Sequence, residues 1–118
     1  MRLTKRTDTL EIAFASKSLR TICESEVQAK QELGPTIAEI LKHRLADLRA
    51  ALSIKDLMAG RPRRLDGTDQ QYIAIDLCDG YRIVFCANHP YNPISGSGEI
   101  DWPRVSRIKI LRIERDHV

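Results

Sequence analysis

Arginines gather late in this chain. Arg61, Arg63 and Arg64 fall within one short segment, Arg82 stands on an aliphatic stretch, and after Lys55 every basic residue except Lys109 is an arginine. A guanidinium grips a phosphate with a planar fork, where an ammonium acts as a point charge. Near the end of the sequence His117 follows Asp116. Imidazole gives and takes protons near neutral pH, and a neighbouring carboxylate fixes its tautomer or raises its pKa. Cations beside a proton carrier are the requirements for cutting RNA without a metal. The ribose 2′-hydroxyl attacks its own phosphate, a base takes the hydroxyl proton, an acid protonates the leaving oxygen, and cations hold the charge building on the phosphoryl oxygens.

Each of these residues also has a plainer use. Arg82 can pair with a carboxylate such as Asp76, and Asp116 and His117 sit where chain ends fray. His43, between Lys42 and Arg44, reads as a solvated helix residue; His89 as a loop residue; Tyr72 and Tyr81 as strand-edge packing. Cys23, Cys78 and Cys86 form no Cys-x-x-Cys pair, so reduced, mostly buried thiols are expected. A metal site from Cys78, Cys86 and His89 lacks a fourth ligand and any standard zinc spacing. No metal and no cofactor is expected.

The elements that must position the arginines follow from periodicity. Leu10, Ile12 and Phe14 alternate as in a short strand. Ser16 stands at an N-cap, and Leu19, Ile22, Cys23 and Val27 follow at helical spacing up to Leu33-Gly34-Pro35, a stop and a restart. Ile37, Ile40, Leu41, Leu45, Leu48 and Leu52 stripe a second helix, so the two make an αα-hairpin, and residues 53–57 offer a final turn. Gly60-Arg61-Pro62 breaks the helical period. Tyr72 to Leu77 and Tyr81 to Ala87 read as strands around a Cys78-Asp79-Gly80 turn. Residues 88–103, with Pro90, Pro93, Pro103, Gly96 and Gly98, read as a long loop. Val105 to Ile113 reads as the last strand, and its apolar residues switch from even positions (Ile108, Ile110) to odd ones (Leu111, Ile113), which points to a bulge or to burial on both sides. The expected fold is α+β in two layers, ordered β-α-α-β-β-β, with the helical hairpin on one face of a small, mostly antiparallel sheet and the other face open.

At 118 residues the chain has the length of one domain, 1–118, with polar residues 1–8 as a loose arm. Apolar residues make up 42% and aromatics only 5%, so the core must be aliphatic. There is no apolar run of membrane-spanning length and no signal-peptide core after Met1, so a cytoplasmic protein without a membrane role is expected. The net charge of +3 fits a solvated surface as well as a polyanion partner.

Several stretches together resemble one family. They are Lys17-Ser18-Leu19-Arg20 with Cys23-Glu24, Arg44-Leu45-Ala46-Asp47-Leu48, Gly60-Arg61-Pro62 with Leu65-Asp66-Gly67, Tyr81-Arg82-Ile83-Val84-Phe85, Asp101-Trp102 with Val105, and Ile113-Glu114 with His117. In order and spacing, over residues 10–117, they are similar to the RelE/ParE superfamily of bacterial toxins, and within it to the HigB-like plasmid maintenance killer proteins. The resemblance implies the toxin of a type II toxin-antitoxin system, an mRNA interferase that cuts mRNA on the ribosome and inhibits translation. It also implies a cognate helix-turn-helix, HigA-like antitoxin, and contact with operator DNA only through that antitoxin. Arg82 matches the family's phosphate-binding arginine and His117 the histidine closing its usual Asp-Tyr-His ending. Arg63 stands where many members have histidine, and Asp116 takes the place of the terminal tyrosine. Superfamily members without the catalytic set bind DNA gyrase instead, so a gyrase poison and a decayed RNA-binding member remain alternatives.

Chemistry and resemblance together give the expected roles. Arg82 clamps the scissile phosphate, Arg63 and Arg64 hold flanking phosphates or transition-state charge, and His117, oriented by Asp116, is the acid or base. Arg61, Arg107 and Lys109 extend a basic surface toward ribosomal RNA.

Overall fold

The computed structural model describes residues 9–65 and 71–115. The expected arm, Asp66-Gly67 of the family-like segment, and both Asp116 and His117 lie outside the described residues. Among the described residues three α-helices and a five-stranded mixed sheet make an α+β fold, the class expected. The elements are β1 (Glu11–Phe14), α1 (Lys17–Glu24), α2 (Glu26–Leu33), α3 (Pro35–Ala50), β2 (Arg63–Leu65), β3 (Tyr72–Asp76), β4 (Tyr81–Ala87) and β5 (Arg107–Arg115). Across the sheet the strands run β1-β5-β4-β3-β2.

The first expected helix is in fact two. Ser25 is extended (φ −123°, ψ 115°), ends α1 and caps α2, its hydroxyl accepting from the Gln28 N–H at 3.2 Å. A serine followed three residues on by glutamine is an N-terminal signal, and here it overrides helical continuity. Val27, on the apolar stripe of the sequence, is consequently 64% exposed, and Ala29 is the residue α2 buries.

Gly34 and Pro35 start α3 as expected, and α3 stops at Ala50, short of Leu52, which is exposed. The 53–57 turn is a short 3-10 turn at Ile54–Asp56, held by the Asp56 carboxylate accepting from the Leu52 and Ser53 N–H groups.

Two corrections concern the sheet. Arg63 and Arg64 do not precede the second strand; they form one, the short edge strand β2 paired antiparallel with β3. At the other edge β1 runs parallel to β5, so β1 is joined to its neighbour only by closure of the whole chain. β5 begins at Arg107 and ends at Arg115, two residues later at each end than expected. The long 88–103 loop carries structure of its own, an Ile94–Ile100 bridge and a 3-10 turn at Trp102–Arg104.

Leu41, Leu45 and Leu48 of α3 pack with Ile73, Ile75, Ile83, Phe85, Ile108 and Ile110 of the sheet in one core. Trp102 closes its end with a T-shaped contact on Phe85, ring centroids 6.1 Å apart. No helix among the described residues is long and apolar enough to cross a membrane.

Candidate functional site

The irregularity expected in β5 is a bulge. Val84 pairs with Arg112 and Phe85 with Ile110, so Leu111 is an extra residue on β5. Side chains alternate along a strand, and one inserted residue reverses the parity beyond it. Before the bulge Ile108 and Ile110 face the helices; after it Ile113 does. The opposite face therefore receives Arg107 and Lys109 from one side of the bulge and Arg112 and Glu114 from the other. Without Leu111 these two pairs would point to opposite faces.

Register lays this second face out in rows. Asp76, Arg82 and Glu114 stand side by side on β3, β4 and β5. The next row is Arg63, Ala74, Val84 and Arg112, and the one beyond is Leu65, Tyr72, Cys86 and Lys109. Ala74 and Val84 have no exposed surface although they lie outside the helix-packed core. Arg63 and Arg112 flank them, with aliphatic stems placed to cover them. The Arg112 guanidinium also lies 5.9 Å from the Tyr72 ring centroid.

Each carboxylate of the first row bridges two arginines, one to each oxygen. Asp76 Oδ2 accepts from Arg61 Nε at 2.8 Å and Nη2 at 2.6 Å, while Oδ1 lies 3.0 Å from Arg63 Nη1. Glu114 Oε2 accepts from Arg82 Nε at 2.8 Å and Nη2 at 2.6 Å, and Oε1 from Arg112 Nε. Partial burial alone would raise both carboxyls, but the arginine hydrogen bonds outweigh it and hold Asp76 and Glu114 below the usual carboxylate range. Both are charged at neutral pH. The face still carries more cations than carboxylates among the described residues: Arg61, Arg63, Arg82, Arg107, Lys109 and Arg112 against Glu11, Asp76 and Glu114.

Local backbone sets these partners. Gly60 has φ +82° and lies so close to β3 that a Cβ there would stand 2.5 Å from Ile75 Cγ2 and 2.7 Å from the Asp76 carbonyl oxygen. The Gly60 carbonyl accepts from the Asp76 N–H at 2.6 Å. Arg61, with φ +49°, leaves this contact pointing at the Asp76 carboxylate. At the far side of the row, the Asp79-Gly80 turn with positive φ at both residues places Arg82 in the second position of β4.

Most of the residues expected in a site come together here. Arg61, Arg63 and Arg82 meet in the first two rows, and Lys109 lies further along the same face. Arg107 lies beyond Lys109, with its Nε 3.7 Å from Glu11 on β1. Among the described residues Arg64 is the exception. It registers with Ile73 rather than Ala74, so it leaves β2 on the side opposite Arg63, and its Nη1 contacts Gln71 and Glu99. Among the described residues Arg82 pairs with Glu114. Sequence reasoning does not single out Arg112 or Glu114 as site residues; the parity switch at Leu111 is the signal that finds them.

The other titratable residues take structural places. His89 Nε2 accepts from the Ser106 and Arg107 N–H groups at 3.0 and 3.3 Å, which fixes its tautomer and pins the loop to the start of β5. His43 pairs with Glu39 one helical turn away. Burial pushes the Cys23 thiol up to about 11, against a lowering by Arg49, and burial likewise raises Cys86 against a lowering by Lys109. Among the described residues no cluster of histidine, cysteine and carboxylate side chains could hold a metal ion.

Comparison with known proteins returned no matching family model, no matching curated protein and no matching solved structure.

Proposed function

We propose that this chain is the toxin of a type II toxin-antitoxin pair, a metal-independent endoribonuclease that cuts mRNA on the ribosome, with the open sheet face as its RNA-binding surface. The observation that carries this reading is the bulge at Leu111, which gathers Arg107, Lys109 and Arg112 on the face that also holds Arg61, Arg63 and Arg82. A positively charged face backed by a rigid sheet suits a phosphate chain, and the phosphates supply most of the affinity. The family resemblance of the sequence supplies the rest.

In this reading Arg82 clamps the scissile phosphate and Arg63 and Arg112 hold the charge that develops beside it. Arg112 takes the part expected of Arg64, whose side chain leaves the other side of β2. Glu114 and Asp76 act as placeholders that a phosphate displaces. Neither suits general base catalysis, since both are held strongly ionised and acidic. Proton transfer therefore falls to His117, oriented by Asp116. The 2′-hydroxyl proton goes to the base, the new bond forms between the 2′-oxygen and phosphorus, and the 5′-oxygen leaves with a proton from the acid.

The partner in this reading is a helix-turn-helix antitoxin that covers the basic face and represses its own operon. Co-expression with the adjacent reading frame should yield a stable complex on a tag carried by this chain. A pulse of induction separates the enzyme from a gyrase poison. Translation should stop and mRNA disappear before replication slows; early DNA damage with intact mRNA would contradict the proposal.

A further inference from the structure

Beyond the phosphate-gripping rows, a cleft of 360 Å³ opens at the loop end of β4. Gln71, Asn88, Asn92 and Lys109 contribute its polar wall, and Ile94 and Ile100 its apolar one. It meets the basic face at Cys86 and Lys109, the third row. That row lies four residues along β4 from Arg82, roughly 13 Å by strand rise.

The hydrogen bonds within the cleft orient its amides. Gln71 Oε1 accepts from the Ile100 N–H at 3.2 Å and from Arg64 Nη1 at 3.3 Å. Asn92 Oδ1 accepts from the His89 N–H at 2.9 Å. Backbone donors therefore fix which end of each amide is oxygen, and both NH₂ groups are left as donors. Among the described residues those NH₂ groups, the Asn88 side-chain amide and the Lys109 ammonium have no hydrogen-bond partner. All the arginines of the first two rows, by contrast, are paired with carboxylates. The cleft is thus rich in donors, walled by isoleucines, and next to a cation.

We infer that this cleft is a nucleobase pocket that selects guanine. The inference rests on the RNA-binding reading of the face and adds where sequence preference would come from. Guanine presents two acceptors, O6 and N7, on one edge, and lysine or arginine on that edge is the commonest specific base contact. Two donor-only NH₂ groups and Lys109 match that edge. Adenine offers a donor there, and the pyrimidines offer a shorter edge and less surface to Ile94 and Ile100. Flanking contacts of this kind choose which step is cut while Arg82 holds the phosphate.

The test uses the full chain and four nucleoside 5′-monophosphates, with ribose 5-phosphate as the base-free control, followed by side-chain amide NMR shifts and by calorimetry. Guanosine monophosphate should bind at least about five-fold tighter than the other three and move the Asn88, Asn92 and Gln71 amide signals. Lys109→Met should abolish that selectivity; its backbone pairing opposite Cys86 does not depend on the side chain, so β5 should hold. Equal binding of all four, preference for another base, or ribose 5-phosphate binding as tightly as guanosine monophosphate would overturn the pocket. Guanine selectivity in a protein that cuts no mRNA would retire the nuclease and keep the pocket. Cleavage without base selectivity would do the reverse.

Discussion

Glu114 holds the Arg82 guanidinium from the neighbouring strand, two of its N–H groups meeting one carboxylate oxygen at 2.6 and 2.8 Å. The pair is partly buried, at 17% and 27% exposure, and Arg112 binds the other oxygen. An arginine so held is preorganised, and its partner is an anion that a phosphate can replace.

Replacing that anion by a neutral isostere should therefore release the site. Glu114→Gln should bind a short oligoribonucleotide several-fold more tightly at low salt. The salt dependence should steepen by roughly 0.7 for each further phosphate that Arg82 and Arg112 neutralise. Stability should fall by about 1 kcal/mol, within the range for a charge-assisted pair of this exposure. Weaker binding by a folded variant would mean that Glu114 positions Arg82 and does not compete with phosphate.

Acid should act on the same two carboxylates. Asp76 and Glu114 are held below their ordinary values in the folded state, so their contribution is complete above the ordinary carboxylate range and is lost as pH falls through the lower folded values. The melting temperature should stay level from neutral pH to about 5 and drop below about 4. The Asp76→Asn, Glu114→Gln double variant should start lower at pH 7 and drop less. An equal acid loss in the double variant would place the sensitivity elsewhere.

Gly60 positions Arg61 through a contact no other residue allows. Gly60→Ala combines a positive φ with a Cβ forced against Ile75, the Asp76 carbonyl and Arg44 Nε. The cost should be about 2–5 kcal/mol from the left-handed conformation and overpacking together. Chemical denaturation measures it, and a loss under about 1 kcal/mol would show that the turn relaxes away from β3.

The bulge makes a sharper prediction, because residue count and side-chain identity separate. Leu111→Ala keeps the extra residue and should keep the fold and the oligonucleotide affinity. Deleting Leu111 must turn either Arg107 and Lys109 or Arg112 and Glu114 onto the core face, so cooperative unfolding should be lost. A deletion variant that melts like the parent chain would rule out this role for Leu111.

How much of this can be read in advance depends on how local each feature is. The parity switch between Ile110 and Leu111 is written in consecutive residues, and the bulge is legible from it. Gly34-Pro35 and Asp79-Gly80 are local signals too, and both turn where expected. Ser25 is legible in principle, through Gln28, but the stripe running on to Val27 hides it. The pairing of β1 with β5 joins residues about a hundred positions apart, and no local pattern encodes it. Arg112 escapes a sequence reading and Arg64 enters it for one reason: which face a strand residue occupies depends on register, and register is set by partners far along the chain. Nothing local marks Arg61 for Asp76 either; the close Gly60 contact with β3 does that.

Whether this chain is a nuclease that works through Arg82 is decided by cleavage of a defined mRNA on ribosomes by purified protein. The parent chain, Arg82→Ala, Arg82→Lys and a chain ending at Arg115 would be compared and their melting temperatures recorded. The parent should cut. Arg82→Ala should lose about a hundred- to a thousandfold in rate, the ~2.7–4 kcal/mol expected for one charged contact to the transition state. Arg82→Lys should recover part of that, since the fork is lost, and removal of Asp116-His117-Val118 should abolish cutting with little change in melting. A folded Arg82→Ala protein that cuts at the parent rate would contradict the role of Arg82 and with it the proposed mechanism.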